Sequence, residues 1–173
     1  SFMDEFTNIK ALLTIVQPGM EGGNAFADVV SGKVNPSGKL TDTWAYKYED
    51  YPNAETFSHN NGNVEKEFYE EGIYVGYRYF DTFKVPVRYG FGFGLSYTAF
   101  SMGNYKVEKA EKENGIKVSV CVKNTGDVAG KEVVQAYVSL PGGKLEKEAH
   151  RLAAYAKTEL LQPGQEQTVT LEI

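Results

Sequence analysis

The stretch that most constrains the fold of this 173-residue chain is residues 70–100. It ends in a run of glycines that alternate with large apolar residues, GFGFGL at positions 90–95. A period of two is typical of a β-strand, but glycine within a strand marks a close backbone approach or a positive φ. We therefore interpret residues 70–99 as a rigid, aromatic-packed connector between two units. The alternative is a plain hydrophobic strand pair in a β domain.

After the connector, the sequence favours strands separated by Gly and Pro turns. The clearest pattern lies at 116–122, where Ile116, Val118, Val120 and Val122 alternate with polar residues and predict one buried face. Strands are predicted near 102–107, 116–122, 132–140, 152–160 and 168–173. Short strands at this spacing are typical of a β-sandwich. Residues 144–161, however, are rich in helix formers and favour a helix on propensity alone.

Before the connector, the pattern indicates one α/β unit. The apolar run Ala11–Val16 is typical of a strand buried on both faces of a parallel sheet. A glycine-rich loop follows, and Asn24 is predicted to N-cap a helix over 25–30 with Gly32 as its C′ residue. The loop lacks the Lys-Ser/Thr of a P-loop and the spacing of a dinucleotide fold, so phosphate binding is not predicted.

A polar segment, residues 46–66, separates this unit from the connector. Its Pro, Asn and Gly residues predict a long irregular surface loop. Sugar contacts, if this chain makes any, are expected there, although no single residue is indicated.

Charge and cysteine content exclude several functions. The net charge is −5 and charges of both signs are mixed along the chain, whereas nucleic-acid binding needs a clustered basic face. The single cysteine, Cys121, allows no internal disulfide. No apolar run approaches the ~20 residues of a membrane span, and the first ten residues do not resemble a signal peptide. A cytoplasmic location is the default expectation.

Three blocks of sequence together resemble one family. The string GIYVGYRYFD…PVRYGFGFGLSYTAF is similar to the segment joining the last two domains of family 3 glycoside hydrolases, the β-glucosidase and β-xylosidase group. Residues 17–40 resemble the end of that family's α/β sandwich domain. VKNTGDVAGKEVVQAYVSLP and LLQPGQEQTVTLEI resemble its fibronectin-III-like domain. The chain departs from the family at 41–44, where Trp44 replaces a phenylalanine and a usual proline is absent.

The resemblance implies an α+β fold. A partial α/β sandwich unit with its long loop (1–69) and the connector (70–99) precede a truncated immunoglobulin/fibronectin-III-like β-sandwich (100–173). It implies a strand rather than a helix at 152–160, with Leu152 and Tyr155 on apolar positions. Because such a sandwich needs about seven strands and five are predicted, the chain is expected to be a fragment.

The resemblance also places the chemistry elsewhere. Retaining glycosidases use two carboxyl groups about 5 Å apart. In this family the nucleophile is an aspartate on a separate (β/α)8 barrel, and the acid/base is a glutamate earlier in the sandwich domain. No catalytic, cofactor-binding or metal-binding residue is therefore predicted, and no cofactor. The expected partners are a β-glucoside or oligosaccharide, bound through the parent enzyme, and the missing domains. A membrane is not expected, and a homo-oligomer is compatible with this interpretation.

The remaining polar candidates are interpreted as structural. Glu21 is predicted to be a structural hydrogen-bonder, and Glu71 to bond to backbone. Arg78 is expected to anchor the connector to its own sheet, or else to hold a carboxylate of a missing domain. The other clustered carboxylates are predicted to be solvated, and both histidines to lie at the surface. These residues are Glu49, Asp50, Glu65, Glu67, Glu70, His59 and His150.

Two other functions stay open. A carbohydrate-binding module would present a line of exposed aromatic residues on one β face. A structural or adhesion β-sandwich would not need the α/β unit at residues 11–32.

Overall fold

The computed structural model describes residues 6–111 and 114–173. Within them the chain forms two α-helices, α1 (Gly22–Val30) and α2 (Tyr77–Phe83), and seven β-strands. The strands are β1 (Trp44–Ala45), β2 (Val87–Tyr89), β3 (Phe100–Lys109), β4 (Ile116–Asn124), β5 (Val133–Val138), β6 (Arg151–Lys157) and β7 (Glu166–Glu172). The mixture confirms the predicted α+β class. No helix in the described part of the chain has the length and apolar character that a membrane crossing requires.

The five strands predicted after the connector are confirmed. They form an antiparallel sheet in the order β3-β4-β7 and an antiparallel pair, β5 with β6. The two layers enclose the hydrophobic core. Its buried members are Val120, Val122, Val134, Leu161, Val169 and Leu171, with Phe100, Ala136, Ala154 and Ala156 packed against them. Alternation in β4 thus places Val120 and Val122 inward, as predicted, whereas Ile116 at the start of the strand is 43% exposed.

The segment with conflicting signals, 144–161, contains a strand, β6, and not a helix. Pairing with β5, with Val134 opposite Ala156, overrides its helical propensity. The expectation that Tyr155 occupies an apolar position is wrong, because its side chain is 71% exposed. Leu152 and Tyr155 are three residues apart and so point to opposite faces of the strand. The contacts of β6 with the core come from Ala154 and Ala156 instead.

The α/β unit is only partly as predicted. Helix α1 starts at Gly22 with Glu21 as its N-cap residue, so the assignment of Asn24 as N-cap is wrong. Gly22 is buried, and a Cβ at this position would lie 2.4 Å from Pro18 Cγ. This lack of space explains why a glycine occupies the first position of the helix. At the other end, Gly32 follows the C-cap Ser31 with φ +79°, as predicted.

The predicted buried strand at 11–16 is wrong. These residues form no strand, and Leu12, Leu13, Ile15 and Val16 are all more than 40% exposed. A strand of a parallel sheet needs a neighbouring strand for its backbone hydrogen bonds, and no strand in the described residues pairs with this segment.

The connector contains both a helix and a strand. Helix α2 buries Phe80, and β2 pairs with β1, with Trp44 opposite Tyr89. Leu40 forms two backbone hydrogen bonds with the glycine run. Leu40 N donates to Phe93 O and Gly92 N donates to Leu40 O, both at 2.8 Å. A Cβ at Gly94 would lie 2.2 Å from Gly38 O, so close backbone approach accounts for the glycine there.

The segment at 46–66 is irregular, as predicted. It contains two short 3-10 helices, Tyr48–Asp50 and Ser58–Asn61, joined by turns.

Candidate functional site: the interface between connector and β-sandwich

Helix α2 of the connector is fastened to residues 148–152, which lead into β6. We call this contact the connector interface. The Thr82 hydroxyl accepts a hydrogen bond from Ala149 N at 2.9 Å, and the Tyr77 hydroxyl accepts one from Leu152 N at 2.8 Å. His150 Nε2 lies 2.9 Å from Asp81 Oδ2. Three contacts from one helix thus set its position against the sandwich.

Aromatic rings fill the space around His150. Its imidazole stacks on Tyr77, with ring centroids 5.9 Å apart and planes 15° apart, and meets Tyr137 edge-on at 5.1 Å. Tyr77 also contacts Phe91 of the glycine run at 5.1 Å. His150 keeps 34% of its side chain exposed and so lies at the surface, as predicted, but it also packs between two tyrosines beside a carboxylate. Of His59 only its position within the second 3-10 helix is described.

A charged pair borders the connector interface. The Arg151 guanidinium donates a hydrogen bond from Nε to Glu148. That bond, a backbone hydrogen bond and the positive charges of Arg151 and Arg78 hold the pKa of Glu148 below its ordinary value. Nearby, burial raises the pKa of Tyr137, and Tyr77 and Asp81 add to the shift.

Arg78 contributes charge rather than a defined hydrogen bond at this interface. Its Nε atom is buried and bonds to none of the described residues. The proposed anchoring role of Arg78 stays a prediction.

A second junction fixes the α/β unit to the rest of the chain. Asn35 donates to Ala129 O at 3.0 Å and accepts from Ser96 Oγ at 2.9 Å and Tyr97 N at 2.8 Å. Lys39 Nζ lies 2.8 Å from Glu132 Oε1, a pair whose side chains are each only 16% exposed. One asparagine and one ion pair thus bind three parts of the chain together.

The carboxylates singled out in the sequence stabilise loops. Glu21 accepts a hydrogen bond from Asn24 Nδ2 at 2.6 Å, which confirms a structural role. Glu71 accepts from the side-chain amide of Asn53, so the prediction of a bond to backbone is wrong. Glu67 accepts from Ser58 N and Glu70 from the Thr56 hydroxyl. These bonds join the two sides of the irregular loop, where no backbone ladder is formed between the described residues.

The described residues contain no cluster of three or more His, Cys, Asp or Glu side chains placed to hold a metal ion. Cys121 is a free, half-buried thiol on β4. The arrangement can orient and fasten neighbouring units. Sequence reasoning missed Asn35, Thr82 and the role of Tyr77, because their partners lie 50 or more residues away in the sequence.

Helix α1 with its flanking loops, the aromatic connector and the antiparallel strands β3–β7 together define a mixed α+β protein. Models of two known domain families match parts of this chain. Residues 2–77 match the glycosyl hydrolase family 3 C-terminal domain, and residues 132–173 match the fibronectin type III-like domain.

Similar proteins are known from several bacteria. β-Glucosidase A of Butyrivibrio fibrisolvens is 48% identical over 95% of the chain and 21% of its own length. A β-glucosidase of Ruminococcus albus is 46% identical over 99% of the chain and 17% of its own length. The structure of β-glucosidase 3B from Thermotoga neapolitana in complex with glucose superposes with a TM-score of 0.85 at 44% identity, covering 92% of this chain and 22% of that one.

The chain belongs to the family 3 glycoside hydrolases. It spans about a fifth of the length of the curated relatives it matches.

Proposed function

We propose that this chain is a scaffold portion of a retaining β-glucosidase that hydrolyses β-glucosides or short β-glycosides. The observation that carries the proposal is the match to β-glucosidases over 95–99% of the chain, although the chain spans only about a fifth of their length. The partners of this portion are then a (β/α)8 barrel and the rest of the α/β sandwich. Substrate is bound through the assembled enzyme.

The exposed apolar surface of the α/β unit supports this assignment. Leu12 and Val16 are 51% and 85% exposed, and Phe26 and Val30 on α1 are 43% and 62% exposed. Exposed apolar side chains in such number are candidates for a contact with the rest of the enzyme. Covering it with the remainder of a sheet gives residues 11–16 the strand neighbours that their composition favours.

The carboxylates of the chain also support a scaffold role. Glu21 accepts a hydrogen bond from Asn24 at the start of α1, and Glu71 accepts one from Asn53 across the irregular loop. A retaining mechanism needs one carboxylate as nucleophile and a second as acid/base about 5 Å away. In this proposal both belong to the parts of the enzyme outside this chain.

Hydrolysis of a chromogenic aryl β-glucoside by the purified chain tests the proposal. The expected result is no turnover above the buffer rate. Turnover that is abolished in Glu71→Gln or Glu21→Gln would overturn the scaffold role, because a catalytic carboxylate would then lie among the loop acceptors. Asn53→Ala and Asn24→Ala are the matched controls. Each removes the hydrogen-bond partner and keeps the carboxylate.

A further inference from the structure

Three aromatic rings form a row on the small sheet β1–β2 and the turn that follows it. Trp44 on β1 and Tyr89 on β2 are register partners, and their ring centroids lie 6.0 Å apart with planes at 67°. The ring of Tyr89 also contacts that of Phe93, with centroids 4.8 Å apart and planes at 32°. We call these three residues the aromatic row.

The aromatic row lies outside the hydrophobic core. The core comprises aliphatic residues of β4, β5 and β7 together with Leu161, Phe100 and alanines of β5 and β6. The side chain of Phe93 is 42% exposed, and Trp44 and Tyr89 are half-buried. Ring surface therefore remains open to a ligand at both ends of the row.

Charged groups that can form hydrogen bonds border the rings. Both carboxylate oxygens of the exposed Asp42 accept from Trp44 Nε1 at 3.2 Å, which fixes the orientation of the indole. The Arg88 guanidinium lies over the Tyr89 ring, with Cζ 5.7 Å from the ring centroid, and so holds the central ring of the row in place. Aromatic rings with a carboxylate beside them match a sugar, whose C–H faces pack on aromatic rings and whose hydroxyl groups bond to charged side chains.

We propose that the aromatic row is a binding site for a β-linked gluco-oligosaccharide, separate from any catalytic carboxylates. The sugar packs on Trp44 and Phe93 at the two ends of the row, and Tyr89 supports both rings from between them. Asp42 accepts hydrogen bonds from sugar hydroxyl groups with the lone pairs that the indole leaves open. The choice of a β-glucoside as ligand rests on the proposed function, whereas the site itself rests on the geometry of the row.

Intrinsic fluorescence tests the proposal without a label, because Trp44 is the only tryptophan in the chain. The intact chain is titrated with glucose, cellobiose and cellotetraose, and the emission of Trp44 is recorded. A saturable change in emission is expected, with tighter binding for cellotetraose than for glucose because the longer ligand covers more than one ring. The absence of a saturable change with all three sugars would overturn the site.

Variants establish whether the signal arises from the row. Phe93→Ala removes the most exposed of its rings and is expected to weaken cellotetraose binding about fivefold to tenfold, corresponding to about 1 kcal/mol for one aromatic contact. Phe93→Leu removes the ring but keeps a sizeable apolar side chain, and it is expected to show the same loss, so a folding defect in one variant does not decide the result. Tyr155→Ala removes a 71% exposed ring on β6 and should bind as the unaltered chain does. Equal affinity in both Phe93 variants and the unaltered chain would contradict the proposal.

Maltotetraose separates this proposal from the proposed function. If maltotetraose binds as tightly as cellotetraose, the assignment of a β-linked ligand is wrong. If the chain prefers cellotetraose but does not restore the activity of a truncated β-glucosidase, the binding site is supported and the scaffold role is contradicted. If the chain restores the activity but binds none of the sugars, the binding site is contradicted and the scaffold role is unaffected.

Discussion

Replacing Asn124 with alanine should cost more stability than its position at the end of a strand suggests. Asn124 is fully buried. Its amide donates to Val128 O at 2.8 Å and Leu161 O at 2.9 Å, and its oxygen accepts from Thr98 Oγ1 at 2.7 Å and Gly126 N at 3.1 Å. One side chain thus joins the connector, the turn after β4 and the segment before β7.

The expected magnitude follows from these four bonds. Each intramolecular hydrogen bond contributes about 0.5–1.5 kcal/mol net, and a buried group left without a partner costs about 1–3 kcal/mol. Asn124→Ala removes four bonds and leaves the Val128 carbonyl and two donors to find new partners, whereas the Leu161 carbonyl keeps its bond from Gly130 N at 3.0 Å. We expect a loss of about 4 kcal/mol in the free energy of unfolding, a large share of the ~5–15 kcal/mol typical of a domain.

Urea unfolding followed by far-UV circular dichroism measures this loss. Thr98→Val is the matched control, because it removes one of the four bonds and should cost about 1 kcal/mol. The double variant should be less destabilised than the sum of the two single variants, since both remove the same Thr98–Asn124 bond. If Asn124→Ala costs less than about 1 kcal/mol, or no more than Thr98→Val, the network does not stabilise the fold as described.

Three further predictions concern single sites. Gly94→Ala should destabilise the chain by about 2 kcal/mol in urea unfolding, because a Cβ would lie 2.2 Å from Gly38 O and the two backbones must separate; an unchanged midpoint would contradict the close approach. Leu161→Ala should cost about 2–5 kcal/mol because its side chain is 2% exposed, whereas the adjacent, 50% exposed Leu160→Ala should change the thermal midpoint little. The pKa of Glu148 is lower in the folded chain than its ordinary 4.5, so its stabilising contribution is present above that pH and is lost as the pH falls through the folded value. Urea unfolding at several pH values should therefore show that the free energy of unfolding falls more steeply in acid for the unaltered chain than for Glu148→Gln. The same pH dependence in both proteins would contradict a stabilising Glu148–Arg151 pair.

The sandwich strands could be predicted because their information is local. In β4, Val120 and Val122 alternate with polar residues, and a half-buried strand requires that period. For β6 the local signal favoured a helix, and only the family resemblance indicated a strand. The alanines that made the segment look helical, Ala154 and Ala156, are the small residues that pack against the core.

The contacts of the connector interface could not be predicted from local sequence. His150 and Asp81 are 69 positions apart, and nothing in either local sequence indicates that the two meet. The same limit applies to Asn124, whose place in an Asn-Thr-Gly sequence predicts a turn but not burial. For the Ala11–Val16 run the local signal was misleading. Its apolar composition predicts a buried strand, but no strand among the described residues pairs with it.

Complementation of a truncated relative tests whether this chain scaffolds a β-glucosidase. β-Glucosidase 3B from Thermotoga neapolitana, from which the segment matching this chain has been deleted, is mixed with the purified chain, and hydrolysis of an aryl β-glucoside is measured. The deleted segment of that enzyme, added in the same way, is the positive control. Neither part is expected to be active alone, whereas the mixture is expected to hydrolyse the glucoside. If the enzyme's own segment restores hydrolysis and this chain does not, the scaffold role is contradicted.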